Sequence, residues 1–596
     1  MPQQVKPFYE FGPFRLDTHE RRLLYNGESI FLTSKAYEIL LALVQSKGNV
    51  VEKDQLMNKV WPNTFVNEAN LTQQIFVLRR ILGTDERQQY IETIPRRGYR
   101  FAYTIKELEE EHAEARAESP PQSAVAAAAL TGPAEGPTIT SLAVLPLTNA
   151  TDSANTEYLT DGITESIISN LSQLNGLRVM SWGAVARYKG KEIDVKEIGR
   201  ELRVQAILTG KVLQISDRLI IRMEFVDVEN GWQYWGTQYN RKVSDLLTIQ
   251  EDISWEVSER LRLKLSEEEK ERITKRHTES PEAYQHYLKG LYFLNKRSLQ
   301  WINRAIEHIE EALKIDPNYA KSYAALADCY SLCSCHSGLR PRDGFPKAKA
   351  AALKALSLDD NLAEAHASMA LVRMLYDWDW TSAENEFKHA IALNPNHAMT
   401  HHWYSTFLAR LARFDESLAE MKLAQTLDPL SLIITTNQGI VFYFMRNYER
   451  ALEYGNEALE LDPNFGVAYG LLCAVHMQKE MYAEALEYCQ IGLSLSKRDP
   501  EALGFLAMIY GKLGEKTKAY EVIDELKEHG QRKYVSPLYL GLAYIGVDEI
   551  EKALDCVQRA CDDRSHAVTY LKIAPFLDRL RPEPQFDELM KCVGFS

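Results

Sequence analysis

Three prolines late in the chain, Pro395, Pro429 and Pro463, stand 34 residues apart in closely similar settings, ALNPN, TLDPL and ELDPN. Pro500 and Pro537 continue the series at steps of 37 residues. A period of this length is one supersecondary unit repeated, and such a unit buries its apolar face only by stacking on its neighbours. Alanine recurs at one phase, Ala355, Ala390, Ala424 and Ala458, where a small side chain lets two helices approach closely. Proline after each second helix ends it. Earlier, IDPNYAKSYAALADCY and LDDNLAEAHASMA occupy equivalent positions, with Asp360 where the other units place Pro. The spacing predicts about eight helix pairs, beginning near Pro281, in an all-α solenoid over residues 280–596.

The opening 106 residues follow other periods. Short runs, FYEFG, FRLD, RLLYNG and SIFL, read as strands, and Asn26-Gly27 makes a hairpin turn because both residues tolerate positive φ. Thr33 or Ser34 can cap a helix, SKAYEILLALVQSKG, with Tyr37, Leu40, Leu41 and Val44 as its apolar face and Gly48 at its end. KDQLMNKVW predicts a second helix that stops before Pro62. A third, from about Glu68 to Leu82, carries Leu71, Ile75, Leu78 and Leu82 at i, i+4, i+7 and i+11. YIETIPRRGYRF then alternates like a hairpin, with Arg96, Arg97 and Gly98 near its tip, and Trp61, Tyr99 and Phe101 read as packing residues.

Charge divides the chain at the same boundary. Residues 1–106 hold six Lys and nine Arg against three Asp and eight Glu, a net of +4, so that the remainder of this −14 chain carries −18. A small basic head on a long acidic body points to an anion-binding module whose body is repelled by polyanions. Eight Cys in 596 residues are too few for a disulfide scaffold, which leaves a reducing, cytoplasmic setting as the expectation. The opening MPQQVKPFYEFGPF has no apolar core of a signal peptide, and the uncharged run from Pro429 to Met445 holds Thr435, Thr436, Asn437 and Gln438, a poor membrane span.

Three helices closed by a C-terminal hairpin make a winged helix-turn-helix. LTSKAYEILLALV, ANLTQQIFVLRRILG and YIETIPRRGYRF resemble the OmpR/PhoB-type DNA-binding domain, in the variant found in CadC-like regulators, from about Phe8 to Tyr103. The resemblance implies that double-stranded DNA is the partner. With Leu71, Ile75 and Leu78 inward, Asn70, Thr72, Gln73, Gln74 and Val77 are the candidates to face bases in a major groove, where Asn and Gln pair bidentately with adenine. Arg79 and Arg80 near the helix C-terminus are candidates for phosphate, and the family's wing places Arg96, Arg97 and Arg100 at the minor groove or its phosphates. OmpR-type proteins carry a receiver domain ahead of this one; seven residues precede Phe8 here, so no aspartyl-phosphate switch is expected.

Residues 107–138, with EEEHAEARAE, Pro120-Pro121 and AVAAAAL, hold almost no large apolar residues and read as a linker. From residue 139 to 266 strands and helices alternate: SLAVLPL, a helix over NTEYLTDGITESIISNLSQLNG, LRVMSW, a short VKEIGRELRV helix, two strands joined at Ser216-Asp217, WQYWGTQYN and a long closing helix. This α/β pattern resembles the TolB N-terminal-like domain, related to FlgO-type modules. TDGITES lacks the Lys and glycine spacing of a phosphate loop, and Asp161, Glu165 and Asp194 read as caps and solvated acids. The 34-residue period resembles the tetratricopeptide repeat.

The expected architecture is multidomain α+β: winged helix-turn-helix head, α/β middle domain and all-α tetratricopeptide superhelix. The favoured function is a one-component, sequence-specific transcriptional regulator that self-associates on DNA, with protein or peptide partners on the concave face of the repeats. The alternative is a tetratricopeptide interaction scaffold whose winged helix does not bind DNA. No nucleophile–base pair or metal set marks an enzyme: Cys329, Cys333, Cys335 and His336 lack finger or haem spacing, and no catalytic residue, cofactor, metal or membrane partner is expected. Trp378-Asp379-Trp380 with His401, His402 and Trp403 reads first as helix-pair packing.

Overall fold

The structure, a computed structural model, describes residues 8–18, 22–25, 28–30, 32, 34–60, 71, 74, 75, 78, 79, 81, 82, 90–94, 97–108, 139–150, 157–191, 194–229, 231, 233–261, 265–296, 298–336, 338–496 and 498–595. The chain divides into two compact units, Met1–Gly132 and Pro133–Ser596.

In the first unit an antiparallel sheet is built by β1 (Phe8–Phe11), β2 (Phe14–Asp17), β3 (Arg22–Tyr25) and β4 (Glu28–Ile30). The hairpin tip at Asn26-Gly27 and the cap at Thr33 lie outside the described residues. A fifth strand, β8 (Lys106–Leu108), pairs with β1 through Phe8↔Leu108 and Tyr9↔Glu107. It carries the head two residues into the stretch read as linker, because the open edge of β1 needs a partner for its backbone groups. Helix α1 (Ser34–Gln45) is buried more widely than one stripe: Ala36, Tyr37, Ile39, Leu40, Leu43 and Val44 are all inside, while Leu41 is only half-buried. Strand β5 (Val51–Glu52), helix α2 (Lys53–Val60), helix α3, to which the described positions 71, 74, 75, 78, 79, 81 and 82 belong, and the hairpin of β6 (Ile91–Ile94) and β7 (Gly98–Phe101) follow. Tyr99 and Phe101 are core residues.

The second unit begins with a mixed sheet in the order β11-β9-β12-β13-β14. Its strands are β9 (Ser141–Val144), β11 (Arg178–Val179), β12 (Ala206–Ile215), β13 (Arg218–Asp227) and β14 (Gln233–Lys242), and β10 (Thr148–Asn149) pairs with β12 beyond β9. β9, β11 and β12 are parallel, and β12, β13 and β14 form an antiparallel meander turned at Ser216, which takes a φ of +53°. Helices α4 (Glu157–Leu171) and α7 (Leu246–Arg260) are the two long helices of this part. A five-residue helix, α5 (Trp182–Ala186), stands between β11 and α6 (Val195–Glu201), and it was not read from the sequence. Asp194 does cap α6, accepting from Lys196 N at 3.0 Å. Asp161 and Glu165 are neither caps nor free: Asp161 is buried against Lys189 Nζ at 2.8 Å, and Glu165 accepts from Asn295 Nδ2 at 3.0 Å.

After α8 (Glu267–Thr274), sixteen helices from α9 (Pro281–Leu294) to α24 (Ile550–Asp562) pair in sequence, eight pairs among the described residues. Ala355, Ala390, Ala424 and Ala458 are fully buried at helix contacts. With the first helix of each pair called A and the second B, Pro395, Pro429 and Pro463 follow B helices, as the period requires, but Pro500 and Pro537 open α21 (Pro500–Lys512) and α23 (Pro537–Gly546). The first position of a helix accepts proline because its N–H has no intrahelical partner. The uncharged run around Thr435 is α17 (Leu432–Phe444), and no described helix is long and apolar enough to cross a membrane.

The α/β part and the repeats are not separate bodies. The residues that close the B helices reach back to what precedes the array: Asp316 accepts from Thr278 Oγ1 at 2.5 Å, and Asp359 from Lys275 Nζ at 2.8 Å. Asn394 donates to Ser172 Oγ at 3.0 Å, and Asp428 accepts from Ser181 Oγ at 2.7 Å. Asn396 Nδ2 donates to the carbonyls of Ser172 and Leu177, both at 2.9 Å. At the other end, the segment after α24 returns onto earlier repeats. Trp380 donates to the carbonyl of Val593 at 2.9 Å and stacks on Phe595 at 4.8 Å, and Arg564 lies 4.1 Å over Trp378. Buried Arg410 donates to Thr569 Oγ1 at 3.0 Å and Tyr570 Oη at 2.6 Å. The Trp378–Trp380 cluster is therefore packing, and His401 is fixed between Glu420 at 2.6 Å and the Pro395 carbonyl at 3.0 Å.

Burial pushes the Asp428 carboxyl up from 3.8 to about 6. A carboxyl raised on folding binds its proton more tightly folded than unfolded, so its contribution is complete below about pH 4 and is lost as pH rises through about 6. Asp428→Asn abolishes that loss. Relative to the parent, the variant should gain about 2–3 kcal/mol between pH 4 and pH 7 in urea unfolding of the body. Parallel pH–stability curves for the two chains would contradict this account.

Candidate nucleic-acid interface

The head places its candidate DNA-facing side chains on two elements. The first is the helix to which the described positions 71, 74, 75, 78, 79, 81 and 82 belong. Leu71, Ile75, Leu78 and Leu82 are at most 3% exposed, which fixes the rotation of the helix as the 3.6-residue period requires. Gln74 flanks this stripe, half-buried. Asn70, Thr72, Gln73, Val77 and Arg80 lie outside the described residues.

The second element is the wing. β6 and β7 pair antiparallel in the register Ile91↔Phe101, Glu92↔Arg100, Thr93↔Tyr99 and Ile94↔Gly98, and β5 pairs with β7 on the other side. Gly98 is required here, because a Cβ would collide with the carbonyl oxygen of Val51. Arg97 N donates to Ile94 O at 3.1 Å, and Lys53 N at the start of α2 donates to Arg97 O at 3.3 Å. The turn is thereby anchored by its backbone while the Arg97 side chain stands exposed, with no ion pair among the described residues. Arg96 lies outside the described residues.

Two of the arginines that are candidates for phosphate also make contacts within the head. Arg79 Nε donates to Ile91 O at 3.0 Å and Nη2 to Thr93 Oγ1 at 2.6 Å, so this side chain ties the helix to the first wing strand. Arg100 pairs with Glu92 directly across the hairpin, Nε to Oε2 at 3.1 Å. The signal for that pair was in the sequence: residues eight apart around a turn of known register face each other. Nothing local announced the Arg79 contact, which depends on where the hairpin docks. Lys35, also not singled out, joins α1 to the end of α2 through Val60 O at 2.5 Å.

Residues 27–101 match the family described as transcriptional regulatory protein, C terminal, and residues 138–235 match the second domain of HilA/YgeH-like transcriptional regulators. The helix, the wing and these two matches define a class: the chain is a winged-helix, OmpR/PhoB-type DNA-binding transcriptional regulator with a body of tetratricopeptide-like helix pairs. It is 24% identical over 449 residues to the transcriptional regulator HilA of Salmonella typhimurium, a match that covers 73% of each protein. It is 28% identical over 144 residues to the transcriptional activator CadC of Escherichia coli, covering 24% of this chain and 28% of CadC. Over 90 residues it is 33% identical to the transcriptional regulatory protein PhoP of Escherichia coli, covering 15% of this chain and 40% of PhoP.

The two arginine roles separate under mutation. Arg79→Ala should cost about 1–3 kcal/mol of local stability, since it strips a buried-edge carbonyl and a hydroxyl of their donor. Hydrogen exchange of the Ile91–Ile94 amides in the full chain reads this directly. Arg97→Ala should leave that exchange unchanged. Equal loss of protection in both variants would refute the distinction.

Proposed function

We propose that the head reads promoter DNA with the exposed side of the 71–82 helix in a major groove and the wing on the backbone beside it. Asn70, Thr72, Gln73, Gln74 and Val77 are the base-facing set, and Asn and Gln there favour adenine. Arg80, Arg96 and Arg97 take phosphates, while Arg79 and Arg100 hold the helix and wing in position for them. The observation that carries this reading is the wing turn: its backbone is pinned by Ile94 O and Lys53 N, and the Arg97 guanidinium is left exposed, with no ion pair among the described residues. A pinned backbone with a free cation is preorganised for a fixed phosphate.

The body is the part that receives a signal or binds protein partners, and the protein acts in the cytoplasm as copies set side by side on DNA. The acidic body lowers non-specific attachment, which leaves the head to decide where the chain binds.

Selection of duplexes from a random pool by the full chain, at several salt concentrations, tests the reading. One recurring motif should emerge. On that motif, Arg96→Ala with Arg97→Ala should weaken binding across all sequences alike and make the slope of log K against log salt shallower by up to about two units. An unchanged slope would take the wing off the phosphates. No enrichment at low salt would favour a protein-docking winged helix.

A further inference from the structure

The β12–β14 meander has one face inside the body and one face in solvent. Leu219, Ile221, Met223 and Phe225 of β13 are at most 2% exposed and anchor the inner face. The alternate residues point the other way, and the register aligns them across three strands: Lys211 with Arg222 and Gln238, and Arg218 with Ile215 and Lys242. Lys211, Arg218, Arg222 and Lys242 are all exposed, and Ile215 beside Arg218 is 55% exposed. Glu224 is the acid in the adjoining row, opposite Thr209 and Gly236.

These cations differ from the ion-paired ones of the repeats. In the array, Arg413 meets Glu384 and Glu416, Arg450 meets Glu453 and Arg498 meets Glu525, each within 2.8 Å. Among the described residues none of the four sheet cations has a carboxylate within ion-pair distance; Arg222 donates to the neutral amide of Gln238 at 2.9 Å. A solvated face in so acidic a chain would be expected to interleave its signs as the helices do. The two rows are four residues apart along β13, about 13 Å at strand rise, which compares with about 12 Å for the width of a major groove. Two pairs of cations at that separation, on a rigid sheet, match phosphates on the two rims of one groove.

We propose that this sheet face is a second, sequence-independent contact of the regulator with duplex DNA beside the site its head reads. The inference rests on the DNA-binding reading of the head. Residues 109–138, which follow the strand Lys106–Leu108 and precede the α/β part, would span at most about 100 Å if fully extended, or about 30 base pairs of B-form duplex.

The test uses the full chain and two duplexes carrying the selected motif, one trimmed to the motif and one with flanks of about 30 base pairs of unrelated sequence. The parent should bind the flanked duplex at least about tenfold more tightly at low salt, with a slope of log K against log salt steeper by about two to four units. With Lys211→Gln, Arg218→Gln, Arg222→Gln and Lys242→Gln together, the flank effect should vanish while affinity for the trimmed duplex stays unchanged. A quadruple variant that exchanges Lys and Arg at the same positions should keep the flank effect, which separates charge from fold. Equal flank dependence in the parent and the Gln variant overturns the proposal and leaves the head reading intact. Absence of binding to the trimmed duplex overturns both. Cosedimentation with phosphatidylserine vesicles that needs the four cations, without a flank effect, assigns the face to anionic lipid and overturns it as well.

Discussion

Each B helix of the first four pairs ends on a residue with a side-chain acceptor or amide, Asp316, Asp359, Asn394 and Asp428, and each of these reaches chain that precedes the repeats. Their backbone N–H groups close the helices on the carbonyls of Ala312, Ala355, Ala390 and Ala424, so one residue both ends a helix and docks a neighbour. A solenoid whose units touch only their nearest neighbours bends along its length. Here the helix pairs space a row of polar contacts, 43, 35 and 34 residues apart, to the chain that precedes them, and the α/β part and the array fold into one compact unit. The cost falls on Asp428, whose second carboxylate oxygen is buried without a partner among the described residues and whose proton affinity rises in consequence.

The far end of the array is closed by its own chain. Residues 566–595 lie against A helices and against the turn of the third pair: Arg410 on Thr569 and Tyr570, Arg446 on Asp578 at 2.7 Å, Trp380 on Val593 and Phe595. Trp378 sits in the left-handed region at a φ of +59°, a conformation that an aromatic side chain adopts only where its surroundings hold it. Here Arg564 covers its ring and donates to the carbonyls of Tyr376 and Asp377 at 3.3 and 3.4 Å. Helix surface at this end of the array is thus covered by the chain's own C-terminal segment.

What the sequence made legible follows from range. Periodicity is local, so the buried stripe Leu71, Ile75, Leu78 and Leu82, the wing hairpin and the helix pairs all read directly from spacing. Proline position was half legible: the residue demands a helix boundary, yet only the assembled pair shows that Pro500 starts a helix where Pro463 follows one. Contacts between distant segments were not legible. Asp161 looked like a solvated acid until α4 was packed with Lys189 beside it, and the Asp428–Ser181 contact joins residues 247 apart. Among the candidate site residues the same rule holds. Arginine in a helix-wing motif points to phosphate, but Arg79 and Arg100 are satisfied inside the head, and only the docked hairpin reveals it.

That division bears on how an acidic regulator binds a polyanion at all. A cation held by a neighbouring carboxylate adds little to a long-range field, because the pair is neutral at the distance of a Debye length, about 8–10 Å at ordinary salt. Counted in this way, the lysines and arginines of the array that meet carboxylates are silent and its surplus acids repel DNA. Attraction then falls to cations that meet no carboxylate among the described residues, the exposed Arg97 of the wing and the four on the β12–β14 face being among them. Few phosphate contacts give a modest salt-dependent term, so base contacts carry a larger share of the affinity than in a uniformly basic protein. An acidic body therefore sharpens discrimination between a promoter and bulk DNA, and it does so by removing background attraction while leaving the recognition helix unchanged.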